Sequence, residues 1–284
     1  TEELISDYTF WPTYLLSQAA RDAGYKVMLS GMGGDEAFAG YPRYLVLKHH
    51  RLVKPFTPFL RLIKKIGLVP KSLDKKFDRL ISYCSESYWP LAYSRLLGYF
   101  SKNELISLFT DFDSLNGKYV QGLERTRKTF VGKSGDKVKL AQHFDLSGFL
   151  AHNLMVADKA SMLASIELRV PLLSESVLAN GLNTNSEDLI IKKQLKYPLR
   201  KLLLSLLPRE LVDRPKTGFN PPLDSLIYKL GAGSISQEMI ALEGIIDIAK
   251  VKLLISRHFS GEENNTYKIW QLMYLAQWVK LSSE

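Results

Sequence analysis

The segment Leu29-Ser30-Gly31-Met32-Gly33-Gly34-Asp35-Glu36 sets three glycines beside two adjacent carboxylates. Glycines at such a place let the backbone approach a ligand closely and aim N–H groups at a phosphate or carboxylate. The spacing is not that of a dinucleotide fingerprint, whose third glycine would fall at Glu36. It is not a Walker A loop either, because no Gly-Lys-Ser/Thr comes after it. Asp35 and Glu36 fall in the first turn of an expected helix, where carboxylates suit the positive end of the dipole. Both would repel a naked phosphate. Mg2+ between acid and phosphate removes that conflict, since hard cations take oxygen ligands and bridge to phosphate. Taken alone, the pattern fits a tight strand–helix turn with an acidic first turn equally well.

Two more stretches carry groups that could do chemistry. Asp145-Leu146-Ser147-Gly148-Phe149-Leu150 leads through Asp158-Lys159-Ala160-Ser161-Met162 to Glu167-Leu168-Arg169-Val170-Pro171. An apolar helix here is expected to carry Asp158, Glu167 and Arg169 in buried surroundings, where charges need partners. A structural Arg–carboxylate bridge is the plainer reading of Arg169 alone. In Arg214-Pro215-Lys216-Thr217-Gly218-Phe219, proline and glycine punctuate a loop that presents Lys216. A loop lysine can act as a point charge on a pyrophosphate, although most are simply solvated.

The elements expected to hold these groups are mostly helices. Tyr14, Leu15, Gln18, Ala19 and Asp22 mark a first amphipathic helix, stopped by Gly24. Lys26-Val27-Met28-Leu29 is a short apolar run and predicts a buried parallel strand. A helix is expected from about Asp35 to His49, and Pro55, Pro58 and Pro70 break up the basic stretch beyond it. Further helices fit 87–98, 101–109, 138–165, 173–181, 197–207, 222–230, 247–259 and 265–280. In the last, Trp270 and Trp278 are expected in the core. The class is α/β, predominantly helical, with fewer strands than a parallel sheet needs.

Composition bounds the rest. The chain has 284 residues, 46% hydrophobic and 24% charged, with a net charge of +9. It holds no apolar run of 18 residues, so no membrane-spanning helix is expected. Cys84 is the single cysteine, which excludes an internal disulfide and Cys-rich zinc sites and suggests a reducing, cytoplasmic setting. The opening Thr1-Glu2-Glu3-Leu4 is not a secretory signal, and a fragment or processed product is expected. The charge is uneven. Residues 48–79 carry +8 and residues 192–216 carry +6, so the remainder is acidic. In the first cluster, Phe56, Phe59, Leu60, Ile63 and Ile66 fall at helical spacing, which predicts a core-facing helix with a solvated basic face. A patch for nucleic acid or acidic lipid ranks second, and no nucleic-acid module is present. The second cluster surrounds Lys216 and is the stretch expected to face an anionic ligand.

In their order and spacing, these motifs resemble the synthetase domain of glutamine-hydrolysing asparagine synthases, a family that also includes β-lactam synthetases. The likeness rests on Lys26–Gly31, Gly33–Tyr41, Asp158–Met162, Glu167–Pro171 and Arg214–Phe219, and spans about residues 8 to 278. It implies an adenine-nucleotide α-hydrolase-like fold, incomplete at its N-terminal side, with one partial synthetase domain over residues 1–284. It implies ATP and Mg2+. A substrate carboxylate is adenylated, and ammonia derived from glutamine then displaces AMP to leave an amide. Ser30, Gly31, Gly33 and Gly34 would bind the nucleotide, Asp35 would hold Mg2+, and Lys216 would stabilise the charge developing as pyrophosphate leaves. Glu36 would stand beside them as a further catalytic candidate, with Asp158, Glu167 and Arg169 in support.

Departures shape the expectation. Many asparagine-forming members have Glu where this chain has Met32, the position tied to the acyl-adenylate. Ser174 stands where Asp is usual, and Leu226 where Trp is common. Aspartate is the first expected acceptor, with another carboxylate such as a uronic acid as the alternative. A non-catalytic binding protein is a third reading. The family's Ser-Gly-Gly-x-Asp-Ser pyrophosphate loop and its glutaminase nucleophile are not found in this sequence. The 284-residue piece by itself is therefore expected to be inactive. Small-molecule substrates are the expected partners. Nucleic acid and membrane are not, and a homodimer is compatible with the resemblance.

Overall fold

The computed structural model describes residues 4–130, 136–214 and 221–282. These are predominantly helical, and the chain divides into two compact units. One comprises Thr13–Leu96 and Gly122–Gly218; the other comprises Thr1–Pro12, Leu97–Gln121 and Phe219–Glu284.

The first unit holds the strands. β1 (Val27–Leu29) pairs in parallel with β2 (Glu167–Arg169), in the register Val27↔Glu167, Met28↔Leu168 and Leu29↔Arg169. The helix Phe10–Asp22 ends before β1 as expected. Gly24 adopts φ +88°, and the N–H groups of Gly24 and Tyr25 return to the carbonyls of Arg21 (2.9 Å) and Ala20 (3.0 Å). That double closure needs a left-handed residue, which glycine supplies at no steric cost.

Four expectations for this unit are corrected. β1 is not the buried strand expected, since Val27 and Leu29 are exposed on it. The helix from Asp35 to His49 is two helices, Gly34–Ala37 and Arg43–Lys48. Between them Ala39 is left-handed and the Gly40 N–H bonds the Asp35 carbonyl at 2.7 Å, so the chain folds back on Asp35. A Cβ at Gly40 would lie 2.9 Å from the Asp35 Cα, which is why the turn requires glycine. The single turn that remains carries little of the dipole invoked for Asp35 and Glu36. Next, Glu167 and Arg169 lie on β2 rather than on a buried helix, and both are exposed. The helical run itself comprises Lys137–Phe144, a π-helical turn Asp145–Leu150, and Ala151–Leu163. Finally, the basic segment forms the helices Thr57–Lys65 and Lys71–Ser85, but Phe56, Phe59 and Ile66 point to solvent. Helical period shows that a face exists, not which side the protein covers. Cys84 is buried.

Among the described residues, the regular elements of the second unit are all helices, with one isolated antiparallel bridge between Phe109 and Ile246. Its core gathers Leu108, Ile227, Ile235, Met239, Leu242, Ile246, Val251, Ile255, Ile269, Leu272 and Ala276. The helix Lys102–Leu108 opens with a capping box. The Glu104 N–H donates to Ser101 Oγ at 3.3 Å, and the Ser101 N–H donates to Glu104 Oε2 at 2.7 Å. Trp270, on the helix Thr266–Ser282, is buried and donates its indole N–H to the Ser6 carbonyl at 2.8 Å. Trp278 is exposed, contrary to expectation, because it lies on the outer side of that helix.

Candidate active site

The glycine-rich turn leaves the C-terminal end of β1 beside the end of β2. The Ser30 N–H continues the ladder by donating to the Arg169 carbonyl at 2.8 Å. Ser30 Oγ then accepts from the Met32 N–H at 3.3 Å. Crevices at the carboxyl ends of parallel strands are where α/β folds bind ligands. The turn is packed from behind. Gly33 is left-handed at φ +86°, and a Cβ there would strike the Leu173 side chain. A Cβ on Gly34 would lie 2.8 Å from Leu172 Cδ1. The Val-Pro-Leu-Leu stretch after β2 thus forms the wall on which the turn rests, and only glycine lets the two meet.

Asp35 is half-buried and pairs with Lys196, Nζ to Oδ1 at 3.0 Å. Lys196 stands at φ +52°, just after a tight turn in which Lys192 and Lys193 are also left-handed. In that turn Ile191 and Gln194 exchange backbone bonds of 3.1 and 2.8 Å. Left-handed lysines are uncommon and cost on the order of 1 kcal/mol each. They aim one cation of the second basic cluster at the turn.

Glu36 is 1% exposed. Its Oε1 accepts from the Tyr41 hydroxyl at 2.6 Å, while Oε2 is buried with no hydrogen-bond partner among the described residues. Burial pushes its carboxyl above the ordinary range, and Asp35 and Asp145 add to this while the Tyr41 bond opposes it. Behind Tyr41 lies a buried polar core. The Arg43 guanidinium sits 3.8 Å over the Tyr41 ring and pairs with Asp145 at 3.0 Å. Asp145 is fully buried and accepts from the Tyr44 hydroxyl at 2.5 Å and the Tyr93 hydroxyl at 2.7 Å. Gln142, one helical turn before Asp145, donates to the Glu36 and Ala37 carbonyls at 3.0 and 2.6 Å. Gln142 therefore takes up carbonyls of the one-turn helix, and Asp145 anchors the cluster of aromatics behind it.

Glu36 makes stability depend on pH in a defined direction. Its folded value is raised, so its contribution is fully present below the unfolded carboxylate value and is lost as pH rises through the folded one. Glu36→Gln removes that loss. Its stability relative to the parent should rise as pH climbs from the ordinary carboxylate value through the raised one, by about 1.4 kcal/mol for each pH unit that separates the two. Urea unfolding across that range measures it, and a difference that stays constant with pH contradicts the assignment.

The sequence-derived candidates are thus partly assembled. Ser30, Gly31, Met32, Gly33, Gly34, Asp35 and Glu36 form one turn. Glu167 and Arg169 reach it through the backbone of β2, and their side chains form an exposed ion pair of 2.9 Å. This is the plain Arg–carboxylate bridge, set in water. Asp158 is exposed on the helix Ala151–Leu163. Lys216 lies outside the described residues. Missing from the candidates were Lys196, Tyr41, Arg43, Gln142 and Asp145. The signals were present: a lysine in the second basic cluster, and Gln142 with Asp145 on the side of the helical run that carries Val138 and Ala141.

The family profile for asparagine synthase matches residues 1–280. A Mycobacterium tuberculosis protein named as a candidate glutamine-hydrolysing asparagine synthetase is 28% identical over 295 aligned positions, covering 98% of this chain and 42% of its own length. Glutamine-hydrolysing asparagine synthetase 1 of Bacillus subtilis is 26% identical over 290 positions, covering 100% of this chain and 44% of its own. The chain thus spans less than half the length of these relatives. No solved structure matches it.

Proposed function

The chain belongs to the asparagine synthase family, and on that footing we propose that it carries the ATP-dependent, amide-forming part of a glutamine-dependent ligase. A carboxylate oxygen of the acceptor attacks the α-phosphorus of ATP. The bond to the β-phosphate breaks, and pyrophosphate leaves with its electron pair. Ammonia then adds to the acyl carbon, gives up a proton, and AMP departs. The fold reading that accompanies this is an adenine-nucleotide α-hydrolase-like domain. One observation supports the reading most. A glycine turn pinned on Leu172 and Leu173 at the ends of two parallel strands sets Asp35 beside Lys196.

Roles follow from that placement. The backbone of Ser30, Gly31, Gly33 and Gly34 borders the nucleotide. Lys196 adds a positive charge where phosphate oxygens would lie, and Lys216 supplies a second. Among the described residues no group of three or more His, Cys, Asp or Glu side chains could cage a metal ion. Mg2+ in nucleotide sites uses one or two carboxylates, with phosphate oxygens and water completing its shell. Asp35 alone fits an ion that arrives with the nucleotide, and such an ion would neutralise charge on the departing pyrophosphate. Glu36, whose carboxyl burial pushes above its ordinary range, is suited to hold or pass a proton beside the turn.

The acceptor divides two readings. Aspartate is the first, as the relatives' names suggest. Met32, half-buried at the turn, motivates the second, another carboxylate such as a uronic acid. Pyrophosphate release should be measured in the complete protein that carries this chain, with ammonia or glutamine supplied. Stimulation by L-aspartate well above that by other carboxylates supports the first reading, and stimulation by uronic acids alone supports the second. Release that no carboxylate stimulates overturns both.

A further inference from the structure

The apolar stripe of the basic segment faces water. Leu52, Phe56, Phe59, Leu62 and Ile66 recur at helical spacing and are 67, 61, 58, 52 and 57% exposed. Leu68 extends the row at 70%. Single apolar residues on a surface are ordinary, but a contiguous row of this kind marks an interaction site. The adjoining side is the one the protein covers. Thr57 is buried, with its hydroxyl on the Lys54 carbonyl at 2.6 Å, and Val53, Leu60 and Ile63 are half-buried.

Cations border the stripe. Arg51, Lys54, Arg61 and Lys65 are exposed, and among the described residues none of the four pairs with a carboxylate. Arg61 and Lys65 are one turn apart on the helix Thr57–Lys65 and border the apolar row beside Leu62, while Arg51 and Lys54 lie in the turns that lead into it. The fold also crowds them. The Lys137 amine is lowered from its ordinary value by burial first, then by Lys54 and Arg51. Like charges gathered beside bare apolar side chains are satisfied by a partner that is anionic and apolar at once.

We propose that this face docks on an anionic lipid membrane, with the helix Thr57–Lys65 lying in the plane of the interface. Phe56, Phe59, Leu62 and Ile66 enter the acyl boundary, and Arg51, Lys54, Arg61 and Lys65 meet the headgroup phosphates. A duplex nucleic acid would satisfy the cations but leave the leucines and isoleucine in water. No described helix is long and apolar enough to cross a membrane, so the attachment is peripheral. This proposal is independent of the catalytic reading.

Co-sedimentation of the complete protein that carries this chain with vesicles tests it. Vesicles of phosphatidylcholine containing one-third phosphatidylglycerol should retain the chain, and pure phosphatidylcholine should not. Phe59→Ser with Leu62→Ser should weaken retention about tenfold or more while leaving every cation in place. Lys54→Glu with Lys65→Glu should weaken it at least as much. All four side chains point to solvent, and circular dichroism confirms that the variants fold. No retention by anionic vesicles at low salt overturns the proposal. So does retention indifferent to the Phe59 and Leu62 changes, which would mean charge attraction alone. Vesicle-independent binding to DNA, or a dimer abolished by Phe59→Ser, would assign the face to another partner and overturn it equally.

Discussion

Asp145→Ala is expected to cost about 3–5 kcal/mol of stability, the usual cost of removing one partner from a buried ion pair. Asp145 is fully buried and serves three donors: Arg43, Tyr44 and Tyr93. Without it the Arg43 guanidinium keeps its charge, stacked over Tyr41 and largely buried. Two tyrosine hydroxyls lose their acceptor as well. The damage should reach the glycine turn, because Tyr41 holds Glu36 and Gln142, from the same helical run, holds the Glu36 and Ala37 carbonyls. Trp89 stacks on Tyr93 with ring centroids 5.2 Å apart, so its fluorescence reports the unfolding of this region in urea. Asp145→Asn keeps one acceptor oxygen and should fall between the parent and the alanine variant. A cost for Asp145→Ala below about 1 kcal/mol, within the range of ordinary surface changes, contradicts the account of this core.

Lys216→Ala carries the largest expected effect on activity. If Lys216 stabilises charge on the departing pyrophosphate, its removal should lower kcat for carboxylate-dependent pyrophosphate release about a hundredfold to a thousandfold, the range seen when one preorganised charge-stabilising donor is lost. KM for ATP should change much less, because the interaction strengthens as charge develops. Lys216→Arg keeps the charge but not the ammonium's compact geometry and should recover activity only in part. The role stands on the Arg214–Phe219 motif, since Lys216 lies outside the described residues. Turnover unchanged in Lys216→Ala removes it.

The turn from Ser30 to Glu36 was legible in sequence because its signal is local: glycines after an apolar run, then two acids. Its surroundings were not, for physical reasons. Glu167-Leu168-Arg169 is a three-residue strand with exposed charged side chains, so its polar–apolar alternation is too short to mark it. The break at Ala39 and Gly40 is imposed by the close approach of Asp35 and Lys196, a tertiary contact that local propensity does not anticipate. Arg43 and Asp145 are ordinary charged residues until the fold brings them together. The stripe from Leu52 to Ile66 shows the converse failure. Its helical period was correct, and its assumed burial was wrong.

The central claim is that an acceptor carboxylate attacks the α-phosphorus of ATP. Acceptor labelled with 18O in its carboxylate tests this most directly, with mass spectrometry of the nucleotide and phosphate products formed by the complete protein. The account predicts AMP carrying one 18O for each amide formed, with unlabelled pyrophosphate. Label in inorganic phosphate with ADP as the nucleotide product, or amide formed with no label transferred, would contradict it.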